Sequence, residues 1–257
     1  MHRTSDNGMS KVPEVTLAFW IIKVLATTLG ETGGDALSMT MNLGYAVSSV
    51  IFFGFFIVTV AAQIASKEFH PFLYWAVIVA TTTAGTTMAD FADRSLGIGY
   101  IGGSLTLFAT LMIVLGLWRL VVGSVSFSEI TSRRVEIFYW VTILFSNTLG
   151  TALGDFFADT SGLGYEGAAL AFTGALVLIA AAYFFTNLSR TLVFWSAFIL
   201  TRPLGAALGD LLTKPVAQGG FHLSRISSSV MIAALIVACI MLTSQARGER
   251  VAGERWR

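Results

Sequence analysis

The stretch WVTILFSNTLGTALGD, from Trp140 to Asp155, recurs in related form at three other places in the chain. Trp20, Trp75 and Trp195 open the other copies, and Asp35, Asp90 and Asp210 close them fifteen residues later. Ten residues after each tryptophan stands a glycine (Gly30, Gly85, Gly150, Gly205), and fourteen after it stands Gly34, Ala89, Gly154 or Gly209, without a gap in any copy. Self-similarity at fixed spacing is the mark of a repeat architecture. The tryptophans lie 55, 65 and 55 residues apart, so copies one and three, and copies two and four, are each offset by 120, which points to a two-repeat unit that was itself duplicated.

A second marker follows twenty-five residues after the tryptophan, where Tyr45, Tyr100 and Tyr165 each close an L-G-Y or I-G-Y. In the fourth copy Phe221 answers one residue late, after Gly219 and Gly220. Around these markers the chain is apolar: 55% of its 257 residues are hydrophobic and 12% charged, half the charge of a usual soluble domain. A membrane-crossing helix needs about 20 mostly apolar residues, and eight stretches qualify, at 14–34, 43–65, 71–92, 100–122, 135–157, 165–186, 190–212 and 223–243. The expected fold is an all-α integral membrane protein of eight transmembrane helices. A single membrane domain over 1–257 would hold four two-helix repeats, approximately 14–66, 71–122, 135–186 and 190–243. Since each copy crosses twice, every copy enters in the same direction, giving parallel repeats around a pseudo-symmetric axis along the membrane normal. The four aspartates would then share one depth and form a ring, provided the first helix of each copy faces that axis.

Charge distribution sets the expected orientation. One side would hold Arg3, Lys11, Lys67, Arg119, Arg133, Arg134, Arg190, Arg247, Arg250, Arg255 and Arg257, the other only Arg94, Lys214 and Arg225. The positive-inside rule makes both termini cytoplasmic, in a bacterial inner membrane. The first apolar run is interrupted by Lys23 and shows no small-residue cleavage site, so it is expected to stay as a span. The lone Cys239 leaves no disulfide framework and no thiolate metal site. Val125 to Glu136, the longest connection, joins the two halves as a linker. The basic residues are scattered juxtamembrane anchors, which points away from nucleic acid.

At the tryptophans, glycines and aspartates quoted above, the chain resembles a family of bacterial membrane proteins of unknown function, "uncharacterised membrane-anchored proteins" defined by four tandem two-helix repeats that each carry a tryptophan. The resemblance covers about Glu14 to Leu242, and Trp20, Trp75, Trp140 and Trp195 match the family tryptophan one by one. It implies architecture, not mechanism. The fourth copy departs most, through Arg202 and the Gln218-Gly219-Gly220-Phe221 ending.

Function must come from the residues. Small residues at positions 10 and 14 let helix backbones approach closely in lipid. The tryptophans lie near the cytoplasmic helix ends, as interfacial anchors would, or as an aromatic wall for an organic cation. Steps of four that begin three residues after each tryptophan give Lys23, Thr27, Glu31 and Asp35; Ile78, Thr82, Thr86 and Asp90; Ile143, Asn147, Thr151 and Asp155; and Phe198, Arg202, Ala206 and Asp210. Each first helix thus carries one polar stripe that must face protein or water. Glu31, Asp35, Asp90, Asp155 and Asp210 set five negative charges against Lys23 and Arg202, and the surplus favours a cation. Oxygen donors without histidine or cysteine suit a hard ion such as magnesium, manganese, calcium or aluminium. Asp93, Arg94, Asp159 and Lys214, one turn further on, are expected to be solvated rim charges, some of them paired.

The expectation is a transporter, not an enzyme: a proton-coupled exporter of a hard metal cation through a ring of carboxylates, with no resident cofactor, and with lipid, protons and the cation as its partners. Export of an organic cation and passive cation conduction are the alternatives. A more distant one is an intramembrane aspartyl protease, whose G-x-G-D signature A-L-G-D at Asp155 and Asp210 partly matches.

Overall fold

The computed structural model describes residues 13–66, 68–125 and 132–254, with side chains as far as Thr243. Arg3, Lys11, Lys67, Arg255 and Arg257, the side chains of Arg247 and Arg250, and 126–131 of the expected linker lie outside the described residues. Among the described residues there is no strand, and there are eight long α-helices: α1 (Leu17–Asp35), α2 (Gly44–Ala65), α3 (Pro71–Asp90), α4 (Gly99–Val122), α5 (Arg133–Asp155), α6 (Gly164–Phe185), α7 (Arg190–Thr213) and α8 (Arg225–Glu254).

Local chemistry sets the helix ends. Thr16 and Ser132 sit in extended backbone and accept hydrogen bonds from the Phe19 and Val135 N–H groups, at 3.3 and 3.4 Å, capping α1 and α5. Pro71 occupies the first turn of α3, where its missing N–H costs nothing. The glycine of each Gly-Tyr marker opens a second helix: Gly44, Gly99 and Gly164 have φ of +74°, +73° and +66°, a conformation that a Cβ would penalise. At their far ends α1, α3 and α5 run on into single π-helical turns, Ala36–Thr40, Phe91–Ser95 and Phe156–Thr160. In contrast α7 stops at Thr213, because Lys214 precedes Pro215 and takes an extended ψ of 155°. The chain beyond it folds back, with the Phe221 N–H donating to the Leu211 carbonyl at 2.7 Å and Leu223 to Leu212 at 2.9 Å.

The first helices close into a ring, α1 packing on α3, α3 on α5, α5 on α7 and α7 on α1. The second helices stand outside and brace the next repeat: α2 lies on α3, α4 on α5, α6 on α7, and α8 closes on α1. Among the described residues seven helices are long and apolar enough to cross a membrane, which suggests a multi-pass membrane protein. In α2, α4, α6 and α8 only 11–28% of the apolar window is buried, against 72% in α3, α5 and α7, so the outer helices present the lipid-compatible surface. The sequence gives eight expected spans, and α1 is the one outside these seven. It carries Lys23, Glu31 and Asp35, all buried within the protein, and these polar groups lower its apolarity without meeting lipid.

Small residues set the distance between ring helices. A Cβ built on Gly30 would strike Thr82, one on Gly205 would strike Thr27, and one on Gly150 would lie 2.5 Å from the Arg202 Cβ. On Gly85 it would lie 3.0 Å from the Thr148 backbone nitrogen. One turn on, Gly34 faces Thr86 at 3.0 Å, Gly154 faces Ala206 at 2.8 Å and Gly209 faces Glu31 at 2.7 Å. Position 10 of each copy therefore meets position 7 or 8 of the next, and position 14 meets position 11, including across the closure from copy four to copy one. This is close small-residue packing, as the glycine spacing implied. Gly150→Ala should cost about 1–3 kcal/mol by overpacking. Gly54→Ala on α2, where nothing lies within 4 Å, should be neutral or gain up to about 1 kcal/mol of helix propensity. Thermal unfolding in detergent compares them, and equal midpoints would contradict the close approach.

Candidate functional site

The polar stripes lie inside the ring. Every residue at positions 3, 7, 11 and 15 is buried, from Lys23 at 0% exposure to the four aspartates at 2% each. Many threonine hydroxyls are committed to backbone carbonyls: Thr27 donates to Thr201 at 3.1 Å, and Thr82 to Ala26 at 3.1 Å. These two bonds are equivalent, each joining position 7 of one copy to position 6 of the copy before it. Asn147 follows the same rule through its amide, donating to the Thr81 hydroxyl at 2.8 Å.

The tryptophans form a collar at one end of the ring. Each is approached by the aromatic that precedes the tryptophan of the copy before: Phe19 lies 5.5 Å from Trp75, Tyr74 5.6 Å from Trp140, Tyr139 6.1 Å from Trp195 and Phe194 5.8 Å from Trp20. The Tyr74 and Tyr139 hydroxyls are bonded at 2.8 Å. Trp75, Trp140 and Trp195 are buried, so they are not the interfacial anchors expected of them; inter-helix ring packing takes their surface instead. The tyrosines lie elsewhere. Tyr100 and Tyr165 donate to Asp159 at 3.2 and 3.0 Å, fifteen or more residues along the helices and thus about 20 Å from the collar. Trp20, Trp75, Trp140 and Trp195 therefore do not join Tyr45, Tyr100 and Tyr165 in one aromatic wall.

Between the two ends Arg202 reaches all three other ring helices. Its Nη2 donates to Glu31 Oε2 at 3.0 Å, to Thr151 Oγ1 at 2.6 Å and, in a very short contact, to Thr86 Oγ1. One side chain thus joins α1, α3, α5 and α7. Lys23 sits nearer the collar, its ammonium 4.2 Å from the centre of the Phe198 ring and without a hydrogen-bond acceptor among the described residues.

The aspartates are neutralised in pairs. Arg94 Nε lies 2.9 Å from Asp90 Oδ1, and its Nη2 lies 3.3 Å from Asp155 Oδ2 and 3.9 Å from Asp159. Lys214 Nζ lies 3.1 Å from Asp210 and 3.3 Å from Asp35, which also has Arg225 Nε at 3.4 Å. Lys214 is therefore not a solvated rim charge, and Arg94 is a paired one whose side chain is 28% exposed: burying a carboxylate demands a partner, and both side chains turn inward to supply it. Asp93, also expected on the rim, is buried against Gly103. Arg94, Arg202, Lys214 and Arg225 thus give each of the five stripe carboxylates a cationic partner, and none of the five is bare. The spacing Asp90–Arg94 and Asp210–Lys214, one helical turn, was the sequence signal for this, as the Phe-Trp and Tyr-Trp pairs were for the collar. Of the expected metal ligands the structure gathers Glu31, Asp35 and Asp210, one oxygen of each within 4.8 Å of the others. It does not add Asp90 and Asp155 to that group.

A family model described as Repeat of Unknown Function (DUF347) matches four times, over residues 18–69, 73–123, 138–189 and 193–248. No curated protein and no solved structure matches the chain.

Removing one partner of a buried ion pair leaves a bare charge, which costs about 3–5 kcal/mol, whereas replacing both by apolar groups is often neutral. Glu31→Gln should accordingly lower the unfolding midpoint strongly, and the double change Glu31→Leu with Arg202→Met should recover most of it. A double variant as unstable as the single would show that Arg202 acts chiefly through Thr86 and Thr151.

Proposed function

The chain belongs to the DUF347 repeat family, and from the groups gathered inside its ring we propose that it is a proton-coupled exporter of a hard metal cation of the Mn2+, Mg2+ or Al3+ type. The observation that carries this reading is the convergence of Glu31, Asp35 and Asp210 to within 4.8 Å. Carboxylates with no nitrogen or sulfur ligand beside them favour hard, oxygen-seeking ions. Buried carboxylates need a positive partner at all times, so ion release must be met by a proton or by a tethered cation such as Lys214. Where a proton is that partner, the two fluxes are coupled.

In this reading all four repeats cross a bacterial inner membrane twice, making eight spans with α1 shielded inside, arranged about a pseudo-symmetric axis. Both termini are cytoplasmic, because Arg119, Arg133, Arg134 and Arg190 belong to the collar end and the positive-inside rule holds that end in the cytoplasm. The carboxylates then lie toward the outer face, behind an aromatic collar closed to the cytoplasm. An organic cation would need the aromatic rings to converge, and the collar and tyrosines lie at opposite ends. A passive channel would need an open axis, whereas Arg202 joins all four ring helices. A protease would need two aspartates facing each other over one proton, whereas Arg94 or Lys214 stands against each aspartate here.

Purified protein in proteoliposomes with a pH dye inside, challenged with hard and soft cations at fixed pH, tests the proposal. A hard cation should drive proton movement, and Asp210→Asn should reduce it by about tenfold or more, at least what loss of a hydrogen-bonding partner behind a metal ligand costs. Silence across the whole cation panel would sink the proposal.

A further inference from the structure

The four aspartates are equivalent in sequence but unequal in partner. Position 19 of the repeat is Met39, Arg94, Asp159 and Lys214 in turn, so a cation stands there only in copies two and four. Each of these cations pairs with the aspartate of its own copy and with that of the next: Arg94 with Asp90 and Asp155, Lys214 with Asp210 and Asp35. The result is two clamps on opposite sides of the ring, repeated with the 120-residue duplication.

The clamps differ in chemistry. A guanidinium is planar, permanently charged and able to hold two carboxylates through separate nitrogens, whereas an ammonium is a point charge on a flexible stem. Arg94 uses Nε on one aspartate and Nη2 on the other, while Lys214 offers one nitrogen to both. They differ in seat as well. Arg94 lies within the π turn that continues α3, whereas Lys214 follows the end of α7 and precedes Pro215. They differ in surroundings too. Beside Lys214 lies the third buried carboxylate, Glu31. Beside Arg94 the third carboxylate is Asp159, a third exposed and held by Tyr100 and Tyr165.

We infer that the two halves divide the work: Arg94 is a static tie, and Lys214 is an exchangeable occupant whose ammonium a divalent cation replaces at Glu31, Asp35 and Asp210. This rests on the transport reading and specifies which side of the ring moves the ion. Exchange leaves the carboxylates paired in both states, with Lys214 when the ion is absent and with the ion when Lys214 swings away. Arg202 stays on Glu31 and Arg225 on Asp35 throughout.

The test uses Mn2+, whose binding is read by its EPR signal and whose flux is read in proteoliposomes, with the full chain as wild type, Lys214→Arg, Arg94→Lys and Lys214→Gln. Lys214→Arg keeps the charge but holds both carboxylates, and should cut Mn2+ binding and flux by about tenfold or more. Arg94→Lys should stay within about threefold of wild type. Lys214→Gln, which empties the seat, should bind Mn2+ at least as tightly as wild type; a purely structural lysine would leave a protein that binds none, and that result overturns the inference even if Lys214→Arg fails to fold. Wild-type flux with Lys214→Arg undiminished, or with Arg94→Lys impaired as severely, would overturn the division of labour and leave transport standing. A wild type that neither binds nor passes Mn2+ would overturn the inference, and silence across the whole cation panel would remove the transport reading with it.

Discussion

Everything inside this protein depends on how closely α1, α3, α5 and α7 approach one another. Lipid tails are as apolar as leucine, so helices in a bilayer gain little from hydrophobic contact and associate through packing and polar bonds. Glycine at position 10 of every copy, and at position 14 of all but copy two, where Ala89 stands, removes the Cβ that would hold neighbouring backbones apart, and the side chain at position 7 or 11 of the next helix fills the space. The same approach lets Thr27 and Thr82 reach carbonyls on the neighbouring helix. A two-residue rule, applied four times and closing on itself, thus makes both the ring and its polar interior.

Burial constrains charge. Once the stripes are turned away from lipid and buried between the helices, an ionised carboxylate has to find a partner within the bundle. Copy four supplies most of them, and its departures from the repeat pattern acquire a purpose on that account. Arg202 replaces a threonine or asparagine at position 7 and ties Glu31 to Thr86 and Thr151. Pro215 ends α7 where the other copies continue into a π turn, which frees Lys214 to lie between Asp35 and Asp210. The irregular copy neutralises what the regular copies accumulate.

The repeat, the inward stripes at steps of four and the packing role of the glycines were all legible in the sequence, because each follows from periodicity. Two features were not. Hydropathy places a tryptophan near a helix end but does not say whether its ring faces headgroups or a neighbouring helix; the aromatic at the preceding position, present in every copy, decided for the neighbour. Likewise Arg94 and Lys214 stand one turn beyond their aspartates, where a helix could equally have ended in water. Only the π turn after α3 and the folded-back loop after α7 bring them inward, and neither has a sequence signature beyond Pro215. Lys23 remains the one stripe residue whose place in the ring is clear while its partner is a ring face, Phe198, and not a counter-ion.

The replacement of a bare carboxylate ring by paired clamps changes what selectivity would require. Four unpaired aspartates would attract any cation of suitable size, since the energy to be recovered is the mutual repulsion of the carboxylates themselves. When Lys214 already neutralises Asp35 and Asp210, an incoming ion has to offer more than an ammonium does at the same oxygens. A monovalent alkali ion brings the same charge as the ammonium without its covalent tether, and so has the weaker claim. A small divalent ion brings twice the charge and can take Glu31 as a third ligand, with oxygen donors of the kind it prefers. Under the proposed exchange, a built-in competitor of fixed charge would turn an unspecific acidic cluster into one that favours charge density, without any ligand chosen for a particular metal.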